Sequence, residues 1–281
     1  MEDKYELTRI RKEIFLTAYH GNCYAAHLAS AFSLVEILYT LYCKNILVYR
    51  ASDPHWKDRD RLILSKGHAS LALYTILAKV GFFRKEILKS FCYPYSILGG
   101  EPNKLEIPGV EATTGSLGHG LCYGIGIALG LKMNQCESDV YVIIGDGECQ
   151  EGSIWEGVMS AYRYGLDNLT VIMDCNSLQK MNTVSHTMNI DEWGNKWNAF
   201  GWEVDCVDGH DIAELEKCLQ KKNVQNVPRI IIANTVKGKG ISIMENNVQW
   251  HYKMPNKVQL KIFMQELNIS EEELESCRGH I

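Results

Sequence analysis

Apolar residues near the amino terminus recur at the spacing of a helix. Four of them are three or four positions apart and would share one helical face: Leu7, Ile10, Ile14 and Ala18. Ser33 and Glu36 have the spacing of a capping box, which predicts a further helix through Leu41. A second helical stretch follows the charged turn DPHWKDRDR, and the segment 93–109, rich in Pro and Gly, is predicted to be a long loop. The first third of the chain is therefore expected to be mostly helical.

From residue 140 the pattern changes to short apolar runs that alternate with helical segments. Four runs have the length and composition of buried strands: VYVIIG, LTVIMD, WEVDCV and RIIIANT. Helices are predicted at 153–165 and at 211–222, the second capped by Asp211. Two more are expected after Pro255 and after Ser270.

This alternation predicts an α/β fold, with a doubly wound, mostly parallel sheet and helices on both faces. Neither an internal repeat nor a linker-like segment divides the sequence, so we expect one domain over 1–281, with a carboxy-terminal helical extension from about residue 255. Such sheets bind ligands beyond the carboxyl ends of their strands. The residues that follow the predicted strands are therefore the first candidates for function.

The composition excludes several classes of protein. A chain of 281 residues with 46% apolar and 22% charged residues is typical of globular proteins and not of disordered ones. The net charge of -5, with no basic stripe, argues against nucleic-acid binding. The amino terminus is too charged for a signal peptide, and the uncharged stretch 112–131 is too rich in Gly for a membrane span, so we expect a cytoplasmic protein without membrane contact. The ten cysteines include no C-x-x-C pair and are expected to be reduced and mostly buried.

The strongest chemical signal follows the first two predicted strands. Asp146 lies between two glycines at the end of the first, and Asn176 follows the end of the second. The carboxyl ends of neighbouring strands present these side chains at one edge of the sheet. Carboxylate and amide oxygens suit an octahedral Mg²⁺ that keeps positions for phosphate oxygens. A GDG sequence alone is often an ordinary tight turn, but the pair of motifs is more specific.

With these motifs the chain resembles the thiamine diphosphate-binding part of the transketolase family. GDGECQEG and DCNSLQ resemble the cofactor fingerprint of that family. Further segments occur in the family's order along the chain: DRDRLILSKGHAS, GVEATTGSLGHG, WNAFGWEV, VDGHD, TVKGKG and ENNVQWH. Several separated motifs in one order are more specific than any one of them.

The resemblance implies a site for thiamine diphosphate and a divalent cation. Mg²⁺, or Ca²⁺ or Mn²⁺ in its place, would be held by Asp146, Asn176 and the carbonyl of Leu178. Contacts with the cofactor are implied for His68, Gly115, Ser116, Leu117, Gly147, Glu148, Asn176 and His251. The glycines after residue 117 would allow close helix packing. A dinucleotide loop is the weaker interpretation of this stretch, because it precedes a strand instead of following one.

Three histidines are implied to be catalytic: His27, His68 and His251. Their roles would be to polarise the donor carbonyl and to carry protons, which suits a side chain that titrates near neutrality. His68 matches the family motif, whereas the glycines and proline around His27 are replaced, and Tyr252 follows His251 where the family has glycine. Five other histidines are expected to be solvated or structural: His20, His55, His186, His210 and His280.

Two charged segments allow more than one interpretation. Lys237 to Gly240 lacks the ending of a phosphate loop, and a solvated basic turn is favoured over a loop that closes over the site. Glu151 and Glu156 suit the start of a helix, where the helix dipole favours carboxylates. By the resemblance they would form an acidic network between paired active sites.

Two departures from the family pattern affect the function. Glu101 stands where the family has a histidine near the donor hydroxyls, which puts the usual ketose phosphate donor in doubt. The sequence downstream of His251 is too short for the family's pyrimidine-binding domain, so a second chain is expected to supply it.

The combined interpretation is the amino-terminal subunit of a two-chain transketolase, with two copies of each chain. It would act in carbohydrate metabolism, moving a two-carbon ketol unit from a ketose or ketose phosphate to an aldose. One alternative is the α subunit of a 2-oxo acid dehydrogenase, although SKGHAS and WNAFGW argue against it. The other is a non-catalytic regulatory subunit, which Glu101 and the replaced glycines near His27 keep open.

Overall fold

The computed structural model describes residues 2–188 and 192–275. Within these ranges the helices are α1 (Glu2–His20), α2 (Leu28–Phe32), α3 (Val35–Cys43), α4 (Ser70–Lys79), α5 (His119–Met133), α6 (Gly152–Arg163), α7 (Val184–Thr187), α8 (Trp193–Ala199), α9 (Ile212–Leu219), α10 (Lys257–Glu266) and α11 (Glu271–Glu275). The strands are β1 (Arg61–Leu64), β2 (Val140–Gly145), β3 (Leu169–Cys175), β4 (Glu203–Asp208) and β5 (Arg229–Asn234). His280 and Cys277, whose roles were predicted from the sequence, lie outside the described residues.

The five strands form one sheet in the order β1-β2-β3-β5-β4, and every pairing is parallel. The predicted α/β class is therefore confirmed. Gly145 pairs with Asp174, and Asp174 in turn pairs with Ala233 of β5. This register brings the carboxyl ends of β2, β3 and β5 to the same level at one edge of the sheet.

Side chains of the central strands alternate between two apolar cores. Ile143 and Ile172 point to one core, formed with α1 to α4 and α9 to α11. Val142 and Val171 point to the other, formed with α5, α6 and α8. Helices therefore cover both faces of the sheet, and the carboxy-terminal helices pack on the first core through Phe263 and other residues.

Two local predictions were wrong. The strand β1 was not predicted, because its apolar run of three residues is short and leads directly into a helical segment. Ser33 and Glu36 do not form a capping box: the Ser33 hydroxyl donates to Asp174, at 2.7 Å, and Glu36 pairs with the buried Arg11, at 2.8 Å. Long-range polar partners therefore replace the local cap.

The uncharged stretch at 112–131 is a loop followed by α5, of which one face packs on the sheet. Gly120 lies so close to β1 that an added Cβ would be 2.4 Å from the Cβ of Ser65. Across the described ranges, no helix is long and apolar enough to cross a membrane.

The cysteines are free thiols throughout the described residues, but most are not fully buried. Cys149 is buried, Cys122 and Cys206 are exposed, and the others are partly accessible. The expectation of mostly buried thiols is wrong because these side chains lie largely in loops and at the ends of helices and strands.

Candidate active site

A buried carboxylate marks the carboxyl edge of the sheet. Asp146 follows β2, is 2% exposed, and accepts hydrogen bonds from the N–H groups of Gly147 at 2.7 Å and Ser177 at 2.5 Å. Burial first, and then the nearby charge of Asp174, raise the pKa of Asp146 to about 6. Among the described residues, no ion pair involves Asp146. A carboxylate with this environment suits a bound cation.

A tight turn after β3 brings the other two predicted metal ligands next to Asp146. The Asn176 amide oxygen accepts the N–H of Leu178 at 3.1 Å, and its nitrogen donates to Asp174 at 3.0 Å. Ser177 between them has a φ of 61°, in the left-handed region that few residues other than glycine adopt. This strained turn is held next to Asp146 by the Ser177 N–H. The Leu178 carbonyl accepts a hydrogen bond from Lys237.

The donor set fits a hard cation such as Mg²⁺. It combines one carboxylate, one amide and one carbonyl oxygen, which leaves positions for water and phosphate oxygens. In the described part of the chain, no three His, Cys, Asp or Glu side chains converge as a metal-binding group. Ligation at this edge would therefore depend on backbone and amide oxygens as well as Asp146.

Asp174 and Lys66 form a buried ion pair behind this turn, and neither was predicted from the sequence. Asp174 also accepts hydrogen bonds from Ser33, Asn176 and Thr235. Burial opposes ionisation of Asp174, but the charge of Lys66 and these hydrogen bonds outweigh it and lower the pKa. The pair joins the end of β1 to β3, and the Thr235 hydroxyl joins the end of β5 to the same carboxylate. Its signal in the sequence was a charged residue at the end of a buried strand.

Glu148 is turned inward and connects three segments. Its carboxylate accepts hydrogen bonds from the Ser65 hydroxyl at 2.5 Å, the Gly118 N–H at 2.8 Å and the Gly145 N–H at 3.1 Å. Burial raises its pKa. The Glu148 carboxylate therefore makes its hydrogen bonds to other parts of the protein. Its predicted contact with the cofactor stays a prediction.

The predicted cofactor-binding loop that precedes α5 lies near the end of β1. Thr114 donates its hydroxyl to the Leu64 carbonyl at 2.7 Å, which anchors the residues that follow, Gly115, Ser116 and Leu117. Gly115 is in contact with Glu101, since an added Cβ would lie 1.9 Å from a Glu101 carboxylate oxygen. Glu101, which stands where the family has a histidine, therefore lies next to the predicted cofactor loop.

The structure brings the three predicted catalytic histidines together. The ring centre of His27 is 5.0 Å from that of His68 and 5.1 Å from that of His251. The ring centres of His68 and His251 are 5.8 Å apart, and the Tyr252 ring is 4.6 Å from His27. Residues separated by more than two hundred positions thus form one cluster.

All three histidines ionise less readily than an ordinary imidazole. Burial, followed by the charge of Lys237, lowers the pKa of His27 to about 4 and that of His251 to about 3. Burial and Lys66 lower the pKa of His68 well below its ordinary value. Protonation of these imidazoles is therefore less favourable than that of a free histidine, and their predicted part in proton transfer stays a prediction.

Lys237 is a buried cation in contact with this cluster. It is 3% exposed and donates to the Leu178 carbonyl at 3.1 Å and to Nδ1 of His251 at 3.2 Å. Burial, and then Lys66, lower its pKa to about 8. The favoured prediction of a solvated turn was wrong for Lys237, because the Gly238 N–H donates to the Ala29 carbonyl at 3.0 Å and holds the turn inward.

A cavity of about 390 Å³ opens onto the histidine cluster. His27, His68, Glu101 and Tyr252 are among the residues that line it. A larger groove of about 890 Å³ lies along α1 and contains none of these residues. The smaller cavity is the candidate substrate site, because it holds the clustered imidazoles.

The remaining predicted positions lie outside this cavity. Glu151 and Glu156 are exposed near the start of α6, and their network with another copy stays a prediction. His210 is structural: its Nδ1 is 3.0 Å from Glu36 and its Nε2 accepts the Val236 N–H at 2.8 Å. Three further residues have no place in the site: His55 and His186 are exposed, and His20 lines the larger groove. Gly147 packs on the Gln179 side chain, from which an added Cβ would be 2.9 Å.

Comparisons with known proteins identify a family and related chains. Residues 20–268 match the family described as transketolase, thiamine diphosphate binding domain. The chain is 37% identical over 252 residues to a subunit of the apulose-4-phosphate transketolase of Phocaeicola vulgatus, covering 89% of each chain. It is 37% identical over 235 residues to 6-deoxy-6-sulfo-D-fructose transketolase subunit SqwG of Clostridium sp., covering 82% of this chain and 84% of that protein.

The fold is similar to a solved transketolase structure from Campylobacter jejuni. The TM-score is 0.86 at 27% sequence identity, over 99% of this chain and 46% of that chain. The chain therefore spans most of the two related subunits but less than half of the Campylobacter protein.

Proposed function

The chain belongs to the transketolase family, and we propose that it is the cofactor-binding subunit of a two-chain enzyme. The enzyme transfers a two-carbon ketol unit from a ketose or ketose phosphate to an aldose. The observation that carries this proposal is the match, over 89% of both chains, to a protein named as a transketolase subunit. The clustering of the predicted metal ligands and histidines supports it.

The partner would be a subunit that carries the pyrimidine-binding and carboxy-terminal parts of the family. Two relatives that this chain matches over most of their length are named as subunits, which supports a separate partner chain. Aromatic side chains exposed on α5 and at the end of α6, including Tyr123, Tyr162 and Tyr164, suit an interface. We infer an assembly of two copies of each chain in the cytoplasm, with residues 1–281 as one diphosphate-binding domain.

Thiamine diphosphate and Mg²⁺, or Ca²⁺ or Mn²⁺, are the proposed cofactors. Asp146, Asn176 and the Leu178 carbonyl would hold the cation, and Gly147 and the loop from Gly115 to Leu117 would contact the cofactor. When bound, thiamine diphosphate would supply the carbon that attacks the donor carbonyl and the ring that accepts the electron pair of the broken bond. The protein supplies binding, orientation and electrostatics.

The side chains of this chain have distinct tasks in the proposed reaction. His27 and His68 line the cavity as neutral imidazoles, so they can donate a hydrogen bond to a substrate oxygen or accept a proton from a hydroxyl. His251 is held by Lys237, and because an ammonium group only donates, Nδ1 of His251 is the acceptor and Nε2 carries the proton. Lys66 and Lys237 place positive charge where an anionic cofactor would bind.

Glu101 is proposed to face the donor substrate. Glu101 lines the cavity with His27 and His68, and a carboxylate there can accept hydrogen bonds from sugar hydroxyls. It would repel a phosphate or carboxylate group at the same end of the substrate. Any phosphate of the donor would therefore be held elsewhere, where the partner can contribute.

An assay of the reconstituted enzyme tests this function. The chain, its partner, thiamine diphosphate and Mg²⁺ would be mixed with a panel of ketoses and an aldose acceptor. We expect a ketose two carbons longer than the acceptor and an aldose two carbons shorter than the donor, and no turnover of 2-oxo acids with a lipoyl acceptor. Turnover of 2-oxo acids instead would contradict the proposal, as would the absence of calorimetric cofactor binding by the assembled complex.

A further inference from the structure

Two cysteines are among the residues that line the candidate substrate cavity. Cys23 and Cys92 both line the cavity that contains His27, His68 and Glu101. Each is partly exposed, and both are free thiols. They are far apart in the sequence, so only the fold brings them together.

The backbone attaches the segments that carry these two cysteines. The Asn22 N–H donates to the Phe91 carbonyl at 2.9 Å, which joins the residues directly before the two cysteines. Gly21 packs closely on the same residue, and an added Cβ would lie 2.8 Å from the Phe91 ring. Cys92 has a φ of 59°, in the left-handed region, and its N–H donates to the Leu98 carbonyl at 2.8 Å. The proximity of the thiols is therefore built into the loops.

The two thiols are also electrostatically unequal. Interaction with the Cys23 side chain lowers the pKa of Cys92. Interaction with Cys92, and then burial, raise the pKa of Cys23, whose sulfur also lies 3.8 Å from the Ala18 carbonyl. Because the thiolate is the nucleophile, Cys92 is suited to react first and Cys23 to resolve the product.

We propose that Cys23 and Cys92 are a redox-sensitive pair that forms a disulfide and thereby restricts the mouth of the active-site cavity. With a peroxide as oxidant, the Cys92 thiolate attacks one oxygen, the O–O bond breaks, hydroxide leaves and Cys92 becomes a sulfenic acid. The Cys23 sulfur then attacks that sulfur, the S–S bond forms and water leaves. In total, two thiols lose two electrons and two protons, and one hydrogen peroxide becomes two waters.

The bond would act on both walls of the cavity. Cys23 shortly precedes His27, and the loop after Cys92 continues to Glu101. A covalent S–S bond of about 2.05 Å would tie these two segments to each other. We expect slower turnover after oxidation, because both segments line the candidate substrate cavity. This consequence rests on the proposed function, whereas formation of the disulfide does not.

The disulfide is tested on the full-length chain without any assay of activity. Protein treated with hydrogen peroxide would be alkylated, digested and analysed by mass spectrometry. We expect a linked peptide pair containing Cys23 and Cys92, which dithiothreitol removes. It should persist in a Cys122→Ser control and be missing from Cys92→Ser. If Cys122 and Cys206 are oxidised while no such pair forms, the proposal fails.

Two further measurements test the proposal even if the Cys92→Ser variant does not fold. In Cys23→Ala, iodoacetamide should alkylate Cys92 several-fold more slowly at pH 7, since the interaction that lowers its pKa is lost; an unchanged rate would contradict the pairing. In the reconstituted enzyme, activity should fall as the linked peptide accumulates and return with dithiothreitol. Complete linkage with unchanged kcat/KM would overturn the restriction of the cavity. An enzyme inactive before oxidation would instead count against the proposed function.

Discussion

Asp146 is the residue whose environment most needs a cation. Its carboxylate is buried beside the Asp174 carboxylate, and the positive charge of Lys66 is paired with Asp174. A bound dication would relieve the repulsion between the two carboxylates, and Asn176 and Leu178 stay its other proposed ligands. Because of its burial and its charge, Asp146 is the first residue to substitute in a test of the cation site.

We predict that Asp146→Ala weakens Mg²⁺-dependent retention of thiamine diphosphate in the assembled complex. Removing a residue that hydrogen-bonds to a metal ligand typically lowers the metal affinity by about 10–100-fold. Removing a ligand itself should lower it at least as much. Isothermal titration calorimetry of the complex would measure it. Asp53→Ala, at an exposed position, serves as the control. Retention equal to the control would remove Asp146 as a ligand.

A second prediction concerns Glu101 and the donor substrate. Hydrogen bonds to charged groups contribute about 1.5–3 kcal/mol, so Glu101→Gln should lower kcat/KM for the donor by about tenfold or more. The affinity for thiamine diphosphate should not change. Steady-state kinetics with varied donor, together with calorimetry of the cofactor, separate the two effects. A loss confined to cofactor affinity would mean that Glu101 supports the Gly115 loop and does not face the donor.

Much of this site followed from the sequence, but its buried charges did not. The motifs identified Asp146, Asn176 and the three histidines, which the fold brings together. Lys66, Asp174 and the inward position of Lys237 were missed, because a charged residue is stable in the interior only when a distant partner compensates it. The partners of Asp174 come from Ser33 to Thr235, and no local pattern reveals them.

The strands are the elements that position the site, through their shared register. Their apolar runs predicted β2, β3 and β5, because buried parallel strands are continuously hydrophobic. The run WEVDCV predicted β4, which is an edge strand and only partly buried. The strand β1 was too short to stand out, and the expected cap at Ser33 was replaced by tertiary contacts. Strands were thus predicted correctly where the apolar run was long. The predicted capping box failed because Ser33 and Glu36 bond to residues distant in the sequence.

Close packing of α5 on β1 gives a prediction about glycine. Gly120→Ala should destabilise the chain by about 1–3 kcal/mol, since the new methyl group would overlap Ser65. Gly126→Ala in the same helix has nothing within 4 Å of the added Cβ and should stabilise it by about 0.5–1 kcal/mol. Urea unfolding of the isolated chain compares them. Equal stabilities would show that the contact with β1 is relaxed.

The buried network of Arg11, Glu36 and His210 joins α1, α3 and the start of α9. Removing one partner of a buried ion pair typically costs about 3–5 kcal/mol, so we predict a loss of about 3 kcal/mol for Glu36→Gln. Glu137→Gln, at an exposed position, should change the stability by less than about 0.5 kcal/mol. Urea titrations at pH 7 measure both. A matching stability for the two variants would contradict the structural role of Glu36.

This network also predicts a dependence on pH. Burial opposes ionisation of Glu36, but hydrogen bonding to His210 and the charge of Arg11 outweigh it and lower the pKa below 4.5. The stabilisation is therefore fully present above pH 4.5 and is lost as the pH falls through the folded-state pKa. In urea titrations repeated at decreasing pH, the Glu36→Gln variant should lose less stability than the parent over this acid range. Parallel losses in the two proteins would contradict the contribution of Glu36.

At the scale of the whole molecule, the chain combines a five-stranded sheet with part of a proposed active site. It holds candidate groups for the diphosphate, the cation and proton movement, while its relatives named as subunits match it over most of their length. The identity of the substrates depends on a cavity that the partner is proposed to complete.

The central claim is that catalysis needs two different chains, and a titration of one chain with the other tests it most directly. Ketol transfer would be measured for this chain alone, for the partner alone, and for mixtures of increasing ratio with saturating thiamine diphosphate and Mg²⁺. We predict no turnover by either chain, and a rate that rises until the chains are equimolar and then stays constant. Turnover by this chain alone at the rate of the mixture would contradict the account.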